Sequence, residues 1–131
     1  MIYRISFRLA VYSMLTILVS VLLYHFLILF EVIPFQLTWG GKLETKSQMY
    51  RFELVSIGIN SFILFLVLVK AEWIRVKFHA RLLNILLWIL VVLFALNTIG
   101  NVMAENNIER FIFTPITMIS CVLCARLAIQ K

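Results

Sequence analysis

The sequence predicts an all-α integral membrane protein: one domain built as an antiparallel bundle of four transmembrane helices. Three features predict it. The chain is 63% hydrophobic with a mean hydropathy of +1.04, and only 14% of it is charged, against about 25% in an ordinary soluble domain. The apolar residues fall into long runs bounded by charged or turn-forming residues. The 131 residues suffice for a single domain of this kind.

The first run, residues 9–30, has 22 positions without a formal charge. At about 1.5 Å per residue it spans a hydrocarbon core roughly 30 Å thick. A signal peptide would have a shorter apolar region, about 7–15 residues, ending at a small-residue cleavage site. No A-x-A site follows here, so an uncleaved helix is expected. Pro34, which lacks a backbone donor, stops it. Residues 31–52 form the first loop, with a tight turn at Gly40-Gly41, interfacial anchors at Trp39 and Tyr50, and Lys42, Glu44, Lys46 and Arg51 in water or headgroups.

The second helix is expected over residues 53–69, closed by Lys70, with Ser56, Asn60 and Ser61 in its first half. A basic loop follows, with Lys70, Arg75, Lys77 and Arg81 against Glu72. The third helix covers about 82–103 and the fourth about 111–128. Two starts are open for the fourth: a capping box from Asn106 to Glu109, or an N-cap at Thr114 with Pro115 in the first helical position.

The net charge of +6 does not point to nucleic acid, because the basic residues sit at helix ends, where they set orientation and meet anionic lipid. With both termini on one side, eight of the twelve Lys and Arg residues fall there: Arg4, Arg8, Lys70, Arg75, Lys77, Arg81, Arg126 and Lys131. Lys42, Lys46, Arg51 and Arg110 fall opposite. That asymmetry predicts cytoplasmic termini in a plasma membrane, with the Gly-Gly loop on the other side. Expected partners are membrane lipids, with a membrane-protein partner or a second copy of the chain, and no nucleic acid.

Each expected helix carries a stripe of small or polar residues at helical spacing: Ser13, Thr16, Ser20 and Tyr24; Glu53, Ser56 and Asn60; Asn97 and Asn101; Thr114, Thr117, Cys121 and Cys124. In lipid such stripes mark helix contacts and are expected to face inward. The heavier polar groups, His25, Glu53, Asn60, Asn97, Asn101 and Glu109, cost more to leave unpaired. By the expected topology all of them lie in the non-cytoplasmic half, beneath the Trp39-Gly40-Gly41-Lys42 loop. Asn84, near the other end, stands apart.

Candidate roles follow. Glu53, at the expected start of the second helix where the macrodipole favours an anion, and His25, the one histidine in a spanning run, are the candidate acid and base. Trp39, Gly40, Gly41, Lys42, Asn60, Asn97, Asn101, Glu109 and Thr114 are candidate ligand-binding residues. No ligand set with metal spacing is present, and no cofactor is expected. Gly40-Gly41 lacks the surrounding residues of a phosphate loop. Cys121-Val122-Leu123-Cys124 resembles the redox pair of the vitamin K epoxide reductase family. That family's outer-loop relay cysteines are missing here, and the pair lies well inside its helix.

Trp39 to Lys42, Asn97 to Asn101 and Thr114-Pro115 together resemble small uncharacterised bacterial four-helix integral membrane proteins with a W-G-G-[KR] loop, an N-T-x-G-N end to the third helix and a T-P start to the fourth. The resemblance covers most of the chain. It implies the same architecture in a bacterial inner membrane and carries no known activity. Three functions remain in view: a lipid- or ligand-binding protein acting as an accessory subunit, an intramembrane enzyme using Glu53 and His25 on a lipid-like substrate, and an oligomeric channel or transporter. The last would need a continuous polar path, and the cytoplasmic half offers mainly Ser, Thr and Cys.

Overall fold

A computed structural model describes residues 2–38, 43–104 and 107–129. The four expected helices are present: α1 (Phe7–Leu29), α2 (Lys46–Lys70), α3 (Ala80–Val102) and α4 (Thr114–Ile129), the last continuous with a π-helical segment, Glu109–Phe113. Each span is 21–25 residues long and apolar enough to cross a membrane. Large side chains such as Leu23, Leu54, Val92 and Leu96 are about 60% exposed on the outside of the bundle. Such a surface fits lipid rather than water. The protein is an integral membrane four-helix bundle.

Local chemistry sets the helix ends. Ser6 caps α1, its hydroxyl accepting from Leu9 N–H at 3.0 Å. The helix stops before Pro34 comes into play. Glu31 takes a left-handed φ of 63° and Val32 N–H returns to Leu27 C=O at 2.8 Å, closing a Schellman turn. Glu72 ends α2 in the same way, with Trp73 N–H on Leu68 C=O at 3.0 Å.

Two expected boundaries move. α2 begins at Lys46, seven residues before Glu53, because Thr45 and Gln48 form a reciprocal capping box. Glu53 therefore sits two turns inside the helix, beyond the reach of the terminal dipole. Thr114 is helical (φ −58°, ψ −53°) and not an N-cap. Pro115 cannot donate to, and would clash with, the carbonyl four residues back. The backbone preceding it is widened to π geometry, with Thr114 N–H bonding Glu109 C=O. Asn106 lies outside the described residues.

The chain runs up-down-up-down. α3 packs most extensively on α4, α1 on α2, and α1 on α4, whereas α2 and α3 barely touch. Toward the end bearing the termini, one apolar cluster joins all four helices, with Met14, Leu18, Leu66, Val67, Leu87 and Leu127 at its centre. Two polar contacts close that end: Arg126 Nε donates to Ile5 C=O at 2.6 Å, and Lys70 Nζ donates to Asn84 Oδ1 at 2.6 Å. A smaller cluster of Ile28, Phe35, Leu43 and Met49 sits at the opposite end, between α1 and α2.

The stripe expected on the first helix faces inward only in part, at Tyr24, which packs against Phe113. Thr16 and Ser20 are exposed, and the packed face is Ala10, Val11, Met14, Leu18 and Ile28. Thr16 Oγ1 donates to Tyr12 C=O at 2.9 Å. A hydroxyl that bonds its own helix needs no partner helix and tolerates lipid.

Packing, more than apolar transfer, holds helices together in a bilayer. Leu87→Ala, at a fully buried position, is therefore expected to cost about 2–5 kcal/mol. Leu96→Ala, at a position 61% exposed, should stay within about 0.5 kcal/mol. Unfolding in detergent micelles would measure both.

Candidate functional site

Between the two apolar clusters lies a cavity of about 340 Å³. All four helices contribute. Ile17, Leu18, Val21, Tyr24, His25 and Ile28 come from α1, and Ser56, Ile59 and Asn60 from α2. Leu93, Phe94, Asn97 and Asn101 come from α3, and Ile116, Thr117 and Ser120 from α4, joined by Glu109 and Phe113 of the π-helical segment. Thr38, just beyond the short helical turn Phe35–Leu37, completes the described wall. The π widening places Glu109 and Phe113 on the cavity. Such segments recur at functional sites.

The most demanding group is Glu53, which is wholly buried. An uncompensated carboxylate at that depth would be costly. Its compensation comes from α1: His25 Nδ1 lies 2.6 Å from Glu53 Oε2, so one hydrogen is held between them. The His25 side chain keeps 14% exposure and lines the cavity. With Nδ1 engaged, Nε2 is the ring nitrogen left for a ligand, and it has no hydrogen-bond partner among the described residues. Tyr24 packs at a tilt against Phe113 with ring centroids 4.9 Å apart and meets the His25 ring edge-on at 5.8 Å.

The amides are spent unequally. Asn60 Nδ2 donates to Ser56 C=O at 2.8 Å, within its own helix, which leaves its amide oxygen to accept. Asn101 Nδ2 reaches Thr117 Oγ1 at 3.4 Å, a long contact. Thr98 Oγ1 lies 2.9 Å from the same hydroxyl and 2.8 Å from Phe94 C=O. Thr117 thus ties α3 to α4 through side chains, while its own hydrogen bonds back to Phe113 C=O at 2.9 Å. Asn97 is exposed at the rim and has no hydrogen bond among the described residues. Its two donors and its acceptor face whatever occupies the cleft.

Five of the residues singled out from the sequence, His25, Asn60, Asn97, Asn101 and Glu109, meet on this one cavity. Glu53 is one hydrogen bond removed from it. Thr114 is not on the described wall, and its hydroxyl is buried without a hydrogen-bond partner among the described residues. Trp39, Gly40, Gly41 and Lys42 lie outside the described residues. Thr38 carried no sequence signal. It is buried and bonds Phe35 C=O at 2.8 Å.

Among the described residues no group of three or more His, Cys, Asp or Glu side chains gathers as a metal site. Cys121 and Cys124 are free thiols inside α4, with Cys121 Sγ 3.3 Å from Val91 C=O. No protein family, curated protein or solved structure matches this chain. The functional reading therefore rests on the site's own geometry.

Removing one member of a buried pair takes its short contact from the other, so His25→Leu or Glu53→Leu alone is expected to lose about 3–5 kcal/mol. The double replacement should cost less than the sum, because the shared contact is lost only once. A double-mutant cycle of unfolding in micelles reads the coupling, and strictly additive losses would show there is none.

Proposed function

We propose that this small multi-pass protein binds the polar end of a lipid or small ligand in the cavity, acting in the membrane by itself or as an accessory subunit. One observation carries the reading. Amides, a histidine and a carboxylate from separate helices converge on one cavity of about 340 Å³ with largely apolar walls. That volume is at the small end of the range for ligand sites, and a few convergent polar groups in an apolar wall are how such sites fix orientation. Polar groups inside a membrane bundle are costly and are retained mainly for function.

A second reading is an intramembrane enzyme acting on a lipid-like substrate. The short His25–Glu53 contact favours it, because a carboxyl group that holds one ring nitrogen fixes the other as acid or base. The polar layer gives less support to an oligomeric channel. Beyond Leu18, Phe94 and Ser120 the described interior is mostly the apolar cluster around Leu66 and Leu87.

The same experiment separates binder from enzyme. Protein purified with Asn97→Leu and Asn101→Leu should retain roughly tenfold less bound lipid by native mass spectrometry, given about 0.5–1.5 kcal/mol for each hydrogen bond lost. Glu53→Gln and His25→Ala, at normal protein levels, should leave cellular lipid pools unchanged for a binder and shift a product pool for an enzyme. Unaltered retention in the asparagine variants would remove the binding reading.

We further infer cytoplasmic termini in a bacterial plasma membrane, supported by the eight-to-four division of Lys and Arg. The cavity then lies in the non-cytoplasmic half. In spheroplasts an impermeant maleimide should label Lys42→Cys directly and Lys77→Cys only after permeabilisation. The reverse pattern would invert the topology.

A further inference from the structure

We propose that the occupant enters the cavity sideways from the bilayer, between α2 and α3, and that the cavity selects an uncharged hydroxyl- or amide-bearing head group over a phosphate. This deepens the binding reading and rests on it.

The route follows from the packing. Of the four sides of the bundle, three are closed by extensive helix contacts, and the α2–α3 side is not. Toward the termini, Ile63 and Leu66 of α2 share a cluster with Leu87 and Leu90 of α3, and the Lys70–Asn84 hydrogen bond clips the two helices. Contacts between the two helices are few along their whole length, and Asn60 and Asn97 line the same cavity, one from each of them. The flanking side chains, Ile59 at 47% and Leu93 at 36% exposure, are apolar. An acyl chain can lie against such a rim and a polar head cannot, so the head is driven inward to the amides.

Size points the same way. About 340 Å³ is at the small end of the range for ligand sites. That is room for a head group and the first few carbons. The rest of an amphiphile must stay outside, as an open side wall permits.

Charge decides the head. The described wall contains no Lys or Arg. A phosphate in a low-dielectric site needs such partners. The carboxyl side chains here are Glu109 on the wall and Glu53 behind His25, and a carboxyl group offers a phosphate no cation to pair with. Asn60 and Asn97 instead offer acceptor and donor atoms to a neutral head that can both donate and accept.

The test uses the full-length protein in phosphatidylcholine nanodiscs and two photoactivatable probes with the same diazirine-bearing acyl chain. One is a monoacylglycerol and the other a lysophosphatidate. The monoacylglycerol should label residues flanking Ile59 and Leu93 saturably, be displaced by unlabelled monoolein, and saturate at about tenfold lower concentration than the lysophosphatidate. Ile59→Trp or Leu93→Trp, which fill the seam, should slow labelling several-fold. Asn97→Arg should turn the preference toward the phosphate probe. Equal or stronger saturable labelling by the lysophosphatidate would overturn the head-group assignment and leave cavity binding standing. Undiminished labelling in both tryptophan variants would overturn the lateral route. Unsaturable labelling by both probes, spread evenly around the bundle, would overturn this inference and the binding reading together. The wild-type competition needs no variant, so a misfolded substitution does not spare the proposal.

Discussion

A carboxyl group sealed inside a spanning helix must be answered by another helix. Glu53 is answered by His25, and much else follows. The contact sets the register of α1 against α2 two turns into the latter. It brings the Ser56–Asn60 side of α2 toward the interior, where these side chains meet the Tyr24–His25 end of α1 on one wall. In hydrocarbon, losing this contact would leave a polar atom of either group poorly compensated. No apolar pair in the bundle imposes so specific a match, since Leu and Val pack acceptably against many neighbours.

The second constraint is what the bundle declines to fill. One end is a four-helix apolar cluster and the other a smaller one between α1 and α2. A uniformly packed bundle would join them. Two departures from regular geometry oppose that. The π-helical segment before Pro115 widens the entry to α4 and carries Glu109 and Phe113 onto the cavity. α2 and α3 are clipped by Lys70 and Asn84 at one end and barely touch elsewhere. Asn84, which seemed an isolated polar residue near a helix end, is thus part of the clip between two helices that otherwise pack thinly.

The number of helices and their approximate spans were legible because apolar length is nearly sufficient to identify a membrane span. The convergence of His25, Asn60, Asn97, Asn101 and Glu109 was legible for a related reason. Groups this costly must share an interior, and their sequence positions fix their depth. Hydroxyl stripes were a poorer guide. Thr16 satisfies itself on Tyr12, so its spacing carried no information about facing, and Met14 and Leu18 took the inward positions. The start of α2 was hidden because Lys46, Gln48 and Arg51 look like loop. The Thr45–Gln48 capping box shows that they are the first turns of a helix emerging from the membrane. At α4 the Thr114-Pro115 signal looked like a cap, whereas the backbone accommodates Pro115 inside the helix with a wider turn, which no cap motif encodes.

The polar layer includes Asn60 and Asn97, one from each of the two helices that pack least on each other, and this coincidence bears most on function. Had the amides been placed beside the Leu66–Leu87 cluster, they would be sealed, and a structural role in helix association would account for them. Had the seam opened at the Lys70–Asn84 end, it would lead to a cluster of aliphatic side chains with nothing to orient a head group. Instead Asn97, without a hydrogen-bond partner among the described residues, lines one cavity with Asn60 of the thinly packed neighbour α2 and with His25, whose other ring nitrogen is anchored. An interior needed only for stability would close around such groups, because each unfilled hydrogen bond weakens it. Keeping them accessible from the bilayer costs stability and is recovered only when something polar, carried on an apolar chain, is there to meet them.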